Sequence, residues 1–384
     1  MDLIGRASSM EIQQKHIPQL RFPGFLNDGE WVEKKYEDCL DYEQPQSYLV
    51  SSENYKKTGV PVLTAGKTFI LGFTDETFGV YTKLPVIIFD DFTTDSRFVN
   101  FPFKAKSSAM KMLSVKEGYD LRFVFATMQN NEFRPHDHQR HWISIYSKFK
   151  VKIPSLAEQQ HIATCLTAAD EMIASANDKL EQLKTFKKGL MQKLFPARGK
   201  TVPELRFKEF EKDGEWEEKK YEDCLDYEQP QSYLVSSENY KKTGIPVLTA
   251  GKTFILGFTD ETFGIYTKLP VIIFDDFTTD SRFVDFPFKA KSSALKMLSV
   301  KEGYDLRFIF ATMQNNEFKP HDHQRHWISI YSKFKVTIPS LAEQHKIAGC
   351  LASIGDMINH YTNKITLLEQ YKKGLMQQMF PTSK

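Results

Sequence analysis

Apolar residues recur along this chain with two different spacings, and the switch between them marks its elements. In two long segments they step by fours and threes. The first runs Ile162, Leu166, Ala169, Ile173, Ala176, Leu180, Leu183, Phe186, Leu190 and Leu194. The second runs Ile347, Leu351, Ile354, Ile358, Tyr361, Ile365, Leu368, Tyr371, Leu375 and Met379. This is the spacing of a coiled-coil seam, with one stutter near Phe186 and Tyr371. Each segment opens on Pro-Ser-Leu-Ala-Glu, which makes Ser155 with Glu158, and Ser340 with Glu343, the Ncap and N3 of an expected capping box. Each closes at Phe-Pro, where the rings of Pro196 and Pro381 forbid continuation. At helical rise, Ile162 to Leu194 spans about 50 Å. A single amphipathic helix on a core shows the same stripe. Two matched helices of this length, each following a domain, favour pairing with one another.

Elsewhere the pattern shortens to β-branched and aromatic runs punctuated by Gly, Pro and Asp. Val60–Leu63, Thr68–Leu71, Val86–Phe89 and His141–Tyr146 are predicted strands. Leu121–Gln129 is the best short helix. The globular part is therefore expected to be mixed α/β.

The pattern is also written twice. Trp31 to Gln159 recurs as Trp216 to Gln344 at an offset of 185, with 121 identities over 129 positions. The eight differences are Val32/Glu217, Val60/Ile245, Val80/Ile265, Asn100/Asp285, Met110/Leu295, Val124/Ile309, Arg134/Lys319 and Lys152/Thr337. Identity then collapses in the helical segments, where residues 160–196 match 345–381 at 16 of 37 positions. A period this long makes the repeat a whole domain, not a solenoid unit. The expected boundaries are an N-terminal tail at 1–15 (1–9, ahead of Met10, vector-derived), a first globular domain at 16–153 and a long helix at 154–196. A linker with the second domain follows at 197–338, then a long helix at 339–381 and a tail at 382–384.

Composition narrows the functional classes. The 384 residues are 41% hydrophobic and 26% charged, which excludes global disorder. No run approaches the length of a membrane span, and the N-terminus lacks the apolar core of a secretory signal. Isolated cysteines at 39, 165, 224 and 350 fit a reducing cytoplasm. The net charge of +2 taken alone argues against nucleic-acid binding. Locally the picture differs: Arg97 to Lys116 holds Arg97, Lys104, Lys106, Lys111 and Lys116 with no acidic residue, and Phe98, Phe101 and Phe103 interleave. Such a stretch suits phosphate neutralisation with aromatic contacts, although a solvated basic face has the same composition.

Candidate chemistry is thin. Thr64-Ala-Gly-Lys-Thr68 suggests a phosphate loop, but Pro61 stands where its first Gly belongs and a strand, not a helix, follows. Asp90, Asp91 and Asp95 could hold Mg²⁺ for a nuclease, yet neighbours on a strand point to opposite faces, and turn-capping carboxylates are the plainer reading. His136, His138 and His141 could bind zinc, but Arg134 and Arg140 oppose a cation there. A polar, cationic loop able to donate to phosphates and base edges fits these residues better. The usual nucleotide, hydrolase and amino-methyltransferase motifs are missing, which favours a binding module over an enzyme.

These features together resemble the specificity subunit of type I restriction–modification systems. The resemblance rests on Pro18-Gln-Leu-Arg-Phe22 and Pro203-Glu-Leu-Arg-Phe207, on the Trp-x-Glu-Lys-Lys at Trp31 and Trp216, and on Ile-Pro-Ser-Leu-Ala-Glu-Gln leading a helix that ends near Lys-Lys-Gly-Leu-Met-Gln. YEQPQSYLV, PVLTAGKTFILGFTDE and PVIIFDDFTT look like one class of target-recognition domain. The match covers residues 16–384, in the family's order, twice.

It implies duplicated recognition domains joined by two long antiparallel coiled-coil helices in a pseudo-two-fold arrangement, each domain reading half of a bipartite DNA site. It also implies two modification subunits carrying S-adenosylmethionine, and restriction subunits using ATP and Mg²⁺. No catalytic site, cofactor or metal is implied in this chain, which would work in the cytoplasm. The chain departs from the family in that its two recognition domains are nearly identical, where those of such subunits generally differ. Identical readers under two-fold symmetry predict an inverted-repeat target.

The resemblance does not identify base-reading side chains. Charge and loop chemistry nominate Lys67, Thr68, Thr93, Thr94, Arg97, Lys104, Lys106, Ser107, Arg134, His136 and Arg140 as DNA contacts. Their counterparts are Lys252, Thr253, Thr278, Thr279, Arg282, Lys289, Lys291, Ser292, Lys319, His321 and Arg325. A self-sufficient metal-dependent nuclease using Asp90, Asp91 and Asp95 is the alternative; a purely structural coiled-coil scaffold is a third reading.

Overall fold

The computed structural model describes residues 17–66, 68–131, 133, 135, 139–251, 253–315, 318 and 325–381. The first repeated domain, termed a reader after the role the resemblance implies, comprises β1 (Val32–Lys35), α1 (Tyr36–Cys39), β2 (Leu40–Glu43), β3 (Val60–Leu63), β4 (Ile70–Thr74), β5 (Val86–Asp90), β6 (Ser96–Val99), β7 (Lys104–Ala105), β8 (Met110–Val115), α2 (Leu121–Gln129) and β9 (Lys150–Ile153). The long helix α3 (Leu156–Leu194) follows. The second reader repeats the order: β10 (Glu217–Lys220), α4 (Tyr221–Cys224), β11 (Leu225–Glu228), β12 (Ile245–Leu248), β13 (Ile255–Thr259), β14 (Val271–Asp275), β15 (Ser281–Val284), β16 (Lys289–Ala290), β17 (Leu295–Val300), α5 (Leu306–Gln314) and β18 (Lys335–Ile338), then α6 (Leu341–Met379). The class is mixed α/β.

Each reader is built around one strand buried on both faces. β5 reads Val-Ile-Ile-Phe-Asp and lies inside the antiparallel sheet β2-β8-β5-β6. Its alternate side chains enter different cores, as strand geometry requires. Ile87 and Phe89 face α2 and the long helices, whereas Val86 and Ile88 face the second sheet, β4-β3-β7, in which β3 and β7 run parallel. A separate ribbon pairs β1 with β9 and closes the reader where α3 begins. α2 matches its predicted bounds; Asp120 caps it by accepting the Phe123 amide at 2.8 Å.

The chain divides into two compact units, and the division cuts both long helices. One unit holds the residues through Ala176 together with Lys364 onward; the other is Asn177–Asn363. In the first unit, Ile162, Ala163 and Leu166 of α3 share a core with Leu375, Met376 and Met379 of α6, and the following Phe380 packs edge-on against Trp31 at 6.1 Å. Farther from that core, forward along α3 and backward along α6, Lys372 pairs with Asp170. The two segments in this unit are therefore antiparallel. In the second unit the end of α3, with Leu190, Met191 and Leu194, shares a core with Ile347, Ala348 and Leu351 at the start of α6.

The opening motif also has a structural purpose. Arg21 grips Glu158 with two parallel hydrogen bonds of 2.8 and 2.7 Å, and Arg206 grips Glu343 identically. Both pairs are almost fully buried.

Three local expectations need correction. His141–Tyr146 is not a strand: the Ile145 and Tyr146 amides both donate back to the His141 carbonyl, which winds the segment into turns ending in a 3₁₀ helix at Tyr146–Lys148. The capping boxes are only half formed. Ser155 Oγ faces the Glu158 amide at 3.4 Å, but the Glu158 carboxylate is taken by Arg21. Thr68 and Phe69 lie in the turn before β4, which starts at Ile70.

The seam has no stutter. Phe186 and Tyr371 are 59% and 62% exposed, while Lys187 and Lys372 are partly buried in their place. Steps of three and four then run unbroken through Leu183, Lys187, Leu190 and Leu194. A lysine occupies a seam position in each copy. Among the described residues no helix is long and apolar enough to cross a membrane.

Candidate nucleic-acid interface

The two hairpins of the first reader, β3–β4 and β5–β6, turn at loops that other segments tie together. The Lys106 amide donates to the Leu63 carbonyl at 3.0 Å, which joins the stretch after β7 to the β3–β4 turn. The Asp91 amide donates to the Ala109 carbonyl at 2.9 Å, which joins the β5–β6 turn to the same stretch. The Asp91 carbonyl in turn accepts from the His141 amide at 2.8 Å, drawing in the 139–145 segment. Four loops from separate parts of the sequence thus meet at one end of the reader. They carry Thr68, Thr93, Thr94, Lys106, Ser107 and Arg140, with Arg97 two residues past the β5–β6 turn.

Asp91 is the centre of this assembly. Its buried carboxylate accepts from the Trp142 amide at 2.8 Å and forms an ion pair with Lys111 Nζ at 2.9 Å, and Arg140 Nη1 lies 3.9 Å away. Asp90 acts on its own hairpin instead. Its Oδ1 accepts from the Phe92 and Thr93 amides, both at 2.9 Å, and shapes the turn. The two neighbours therefore do not converge on a common ligand, in keeping with the turn-capping reading. Among the described residues no group of three His, Cys, Asp or Glu side chains is arranged to hold a metal ion.

At the hairpin tip Thr94 adopts φ 61°, as Thr279 does at 60° in the second copy. This left-handed conformation is costly for a β-branched residue, so the packed loops hold the tip in a strained shape. Phe92 stands exposed beside it, with the Arg140 guanidinium 5.8 Å from its ring centroid.

The basic stretch is the main correction. Lys104 and Lys289 are completely buried and do not reach a ligand. Lys104 Nζ donates to the Glu76 carboxylate and to the Phe78 carbonyl at 3.0 Å, beneath the Phe78 ring; Lys289 pairs with Glu261. Lys106 pairs with Glu53, Lys291 with Glu238, Lys111 with Asp91 and Lys116 with Asp41. Four of the five cations between Arg97 and Lys116 are therefore engaged by acids outside the stretch. Arg97 is the exception: it is exposed on edge strand β6 and leans toward Phe69 with a 5.9 Å cation-to-centroid distance. These hydrogen-bonded lysines hold their carboxylates below the ordinary range, Lys104 doing so for Glu76 and Lys106 for Glu53.

The remaining nominated residues divide simply. Thr68 and Thr93 are exposed, Thr94 is half-buried, and Ser107 Oγ accepts from the Ala109 amide at 3.1 Å, which fixes its own loop. In the second reader Thr253, Thr278, Arg282 and Arg325 are exposed, while Thr279 and Ser292 are partly buried. The same ties recur there: Lys291 to Leu248, Asp276 to Ala294 and His326 to Asp276. Lys67, Arg134, His136, Lys252, Lys319 and His321 lie outside the described residues, as does His138. Asp91 is the functional residue that sequence reasoning missed: read as a turn cap, with a metal ligand as the alternative, it instead ties distant loops together, and nothing local distinguishes these roles. The second reader has one further acid near a cation: Asp285 pairs with Arg307 at 3.7 Å where the first has Asn100 and Arg122.

No family model matches the chain. It is 48% identical over 143 residues to the type I restriction enzyme EcoR124I/EcoR124II specificity subunit of Escherichia coli, a match covering 35% of each protein. It is 26% identical over 247 residues to the putative type I restriction enzyme MjaX specificity subunit of Methanocaldococcus jannaschii, covering 59% of this chain and 57% of that protein. The chain thus matches between about a third and three fifths of the length of these relatives. Its fold superposes on the crystal structure of the type I restriction–modification S subunit from M. genitalium with a TM-score of 0.72, over 96% of this chain and all of that one, at 16% identity. In sequence over the matched segments, and in fold along nearly its whole length, the chain is similar to the specificity subunits of type I restriction–modification systems.

Proposed function

We propose that this chain is the DNA-recognition subunit of a type I restriction–modification complex. Each reader would bind one half of a bipartite site through its four-loop end, and the long helices would relate the two readers. Modification subunits, two in number, would dock on the chain and supply the S-adenosylmethionine site. Restriction subunits would add ATP- and Mg²⁺-dependent cleavage. The chain itself would perform no bond chemistry and would act in the cytoplasm, where the DNA is.

The observation that carries this reading is the duplicated loop cluster: both readers present the same exposed threonines and arginines on loops locked by a buried Asp–Lys pair. Rigid loops displaying polar donors suit groove recognition better than a catalytic cleft. Because the readers differ at only eight of 129 positions, each should read the same half-site. A two-fold relation between them then gives an interrupted inverted repeat.

Single-molecule methylation mapping of DNA modified by the reconstituted complex tests the proposal. The expected result is one interrupted site with two inversely related halves. Two unrelated halves would refute the symmetry, and methylation without any recurrent motif would refute the recognition role.

A further inference from the structure

We infer that Arg140 and Arg325 are the guanine-reading residues of the two readers, and that Arg97 and Arg282 serve the phosphate backbone. This deepens the DNA-recognition reading and rests on it. The inference comes from how differently the structure holds these exposed arginines.

Arg140 is fixed at its root. Its carbonyl accepts the Ser144 hydroxyl at 2.7 Å, and the next two amides, of His141 and Trp142, both donate to Asp91 at 2.8 Å. Its side chain is half-exposed. At 3.9 Å the guanidinium lies beyond hydrogen-bond reach of Asp91, whose Oδ1 accepts from the Trp142 amide and whose Oδ2 is ion-paired with Lys111. The carboxylate orients the guanidinium by charge without consuming its donors, and the Phe92 ring supports it from one side. One buried negative charge faces two positive ones, Lys111 and Arg140. A net positive charge therefore points outward, in a planar group of set orientation. Bidentate pairing with the O6 and N7 edge of guanine requires that combination, since it depends on the angle of the fork as well as on charge.

Arg97 lacks such orientation. It projects from an edge strand, no described carboxylate pairs with it, and its aromatic contact is the Phe69 ring alone. A loosely held exposed cation suits a phosphate, which accepts from many directions.

The test uses the full chain assembled with its modification subunits. Binding is measured on the mapped site, on single-base variants of it, and on unrelated DNA across a salt series. The paired substitution Arg140→Lys with Arg325→Lys keeps both charges and removes the fork. Discrimination at one guanine position in each half-site should fall about 10- to 100-fold, while affinity for unrelated DNA and its salt dependence stay unchanged. Arg140→Ala with Arg325→Ala should lose the same discrimination. Unchanged discrimination in both paired variants, or a wild-type site with no guanine in either half, would overturn the assignment and leave the recognition role standing. Absence of any site preference in the wild-type complex would instead overturn the underlying reading and the assignment with it.

Discussion

Lys104 and Arg97 are seven positions apart in a stretch that looks uniformly basic, yet their environments are opposite. Lys104 is sealed beneath Phe78 against Glu76, so its charge acts on stability. The hydrogen bond from Lys104 holds the Glu76 carboxyl below its ordinary value of 4.5, and Lys289 does the same to Glu261. A carboxyl whose folded value is depressed contributes stability that is complete above the unfolded value and is lost as pH falls through the folded one. Urea midpoints measured between pH 3 and pH 7 should therefore decline on the acid side, and the double substitution Lys104→Met with Lys289→Met should weaken that decline while lowering the midpoint at neutral pH. On the proposed reading Arg97 bears on binding instead. Arg97→Ala with Arg282→Ala should weaken binding on every DNA sequence alike and flatten the plot of log affinity against log salt by about one unit for each phosphate no longer neutralised. A selective loss on the cognate site would show that Arg97 reads bases.

At the scale of elements, β5 and the long helices show how much of the fold is local pattern. Val86–Phe89 reads as a strand because β-branched and aromatic residues run together, and burial on both faces confirms it. His141–Tyr146 has the same composition but forms turns, because Asp91 from a distant hairpin captures the amides of His141 and Trp142. The helical seam shows the reverse failure. Aromaticity points to Phe186 and Tyr371, whereas the unbroken heptad passes through Lys187 and Lys372. Lysine is tolerated there because its long apolar stem packs while the ammonium finds a partner. Lys372 finds Asp170. Among the described residues no carboxylate pairs with Lys187, the position equivalent to Asp170 being Gly355, and burial pushes its pKa down. A Cβ built on Gly355 would meet only the Lys187 ammonium, at 3.7 Å. Gly355→Asp should thus remove a helix-interior glycine and restore the pair, raising stability by about 1 kcal/mol. Chemical denaturation checks this, and the part of the gain due to the pair should vanish in a Lys187→Met background.

At the scale of the whole molecule, the duplication is legible without any structure, because 121 of 129 identities at constant offset leave no other reading. So are the two long helices, β3, β5 and the place of α2, since each follows from spacing and side-chain shape within a few residues; among the other strands of the first reader only the start of β4 is legible. The loops that would meet DNA are legible as loops, and six of the nominated first-reader residues lie on the four that converge, with Arg97 just beyond. Sequence spacing could not show which of their charges remain available. The acids that neutralise the basic stretch come from Asp41, Glu53, Glu76 and Asp91, brought to it by strand pairing across tens of residues. Burial and ion pairing depend on the packed chain, so they are properties of the tertiary structure. The sequence alone determined that there are two copies of one reader with two helices of matching period. Only the fold decided that Lys104 lies inside, that Asp91 ties four loops together, and that Arg97 and Arg140 remain exposed.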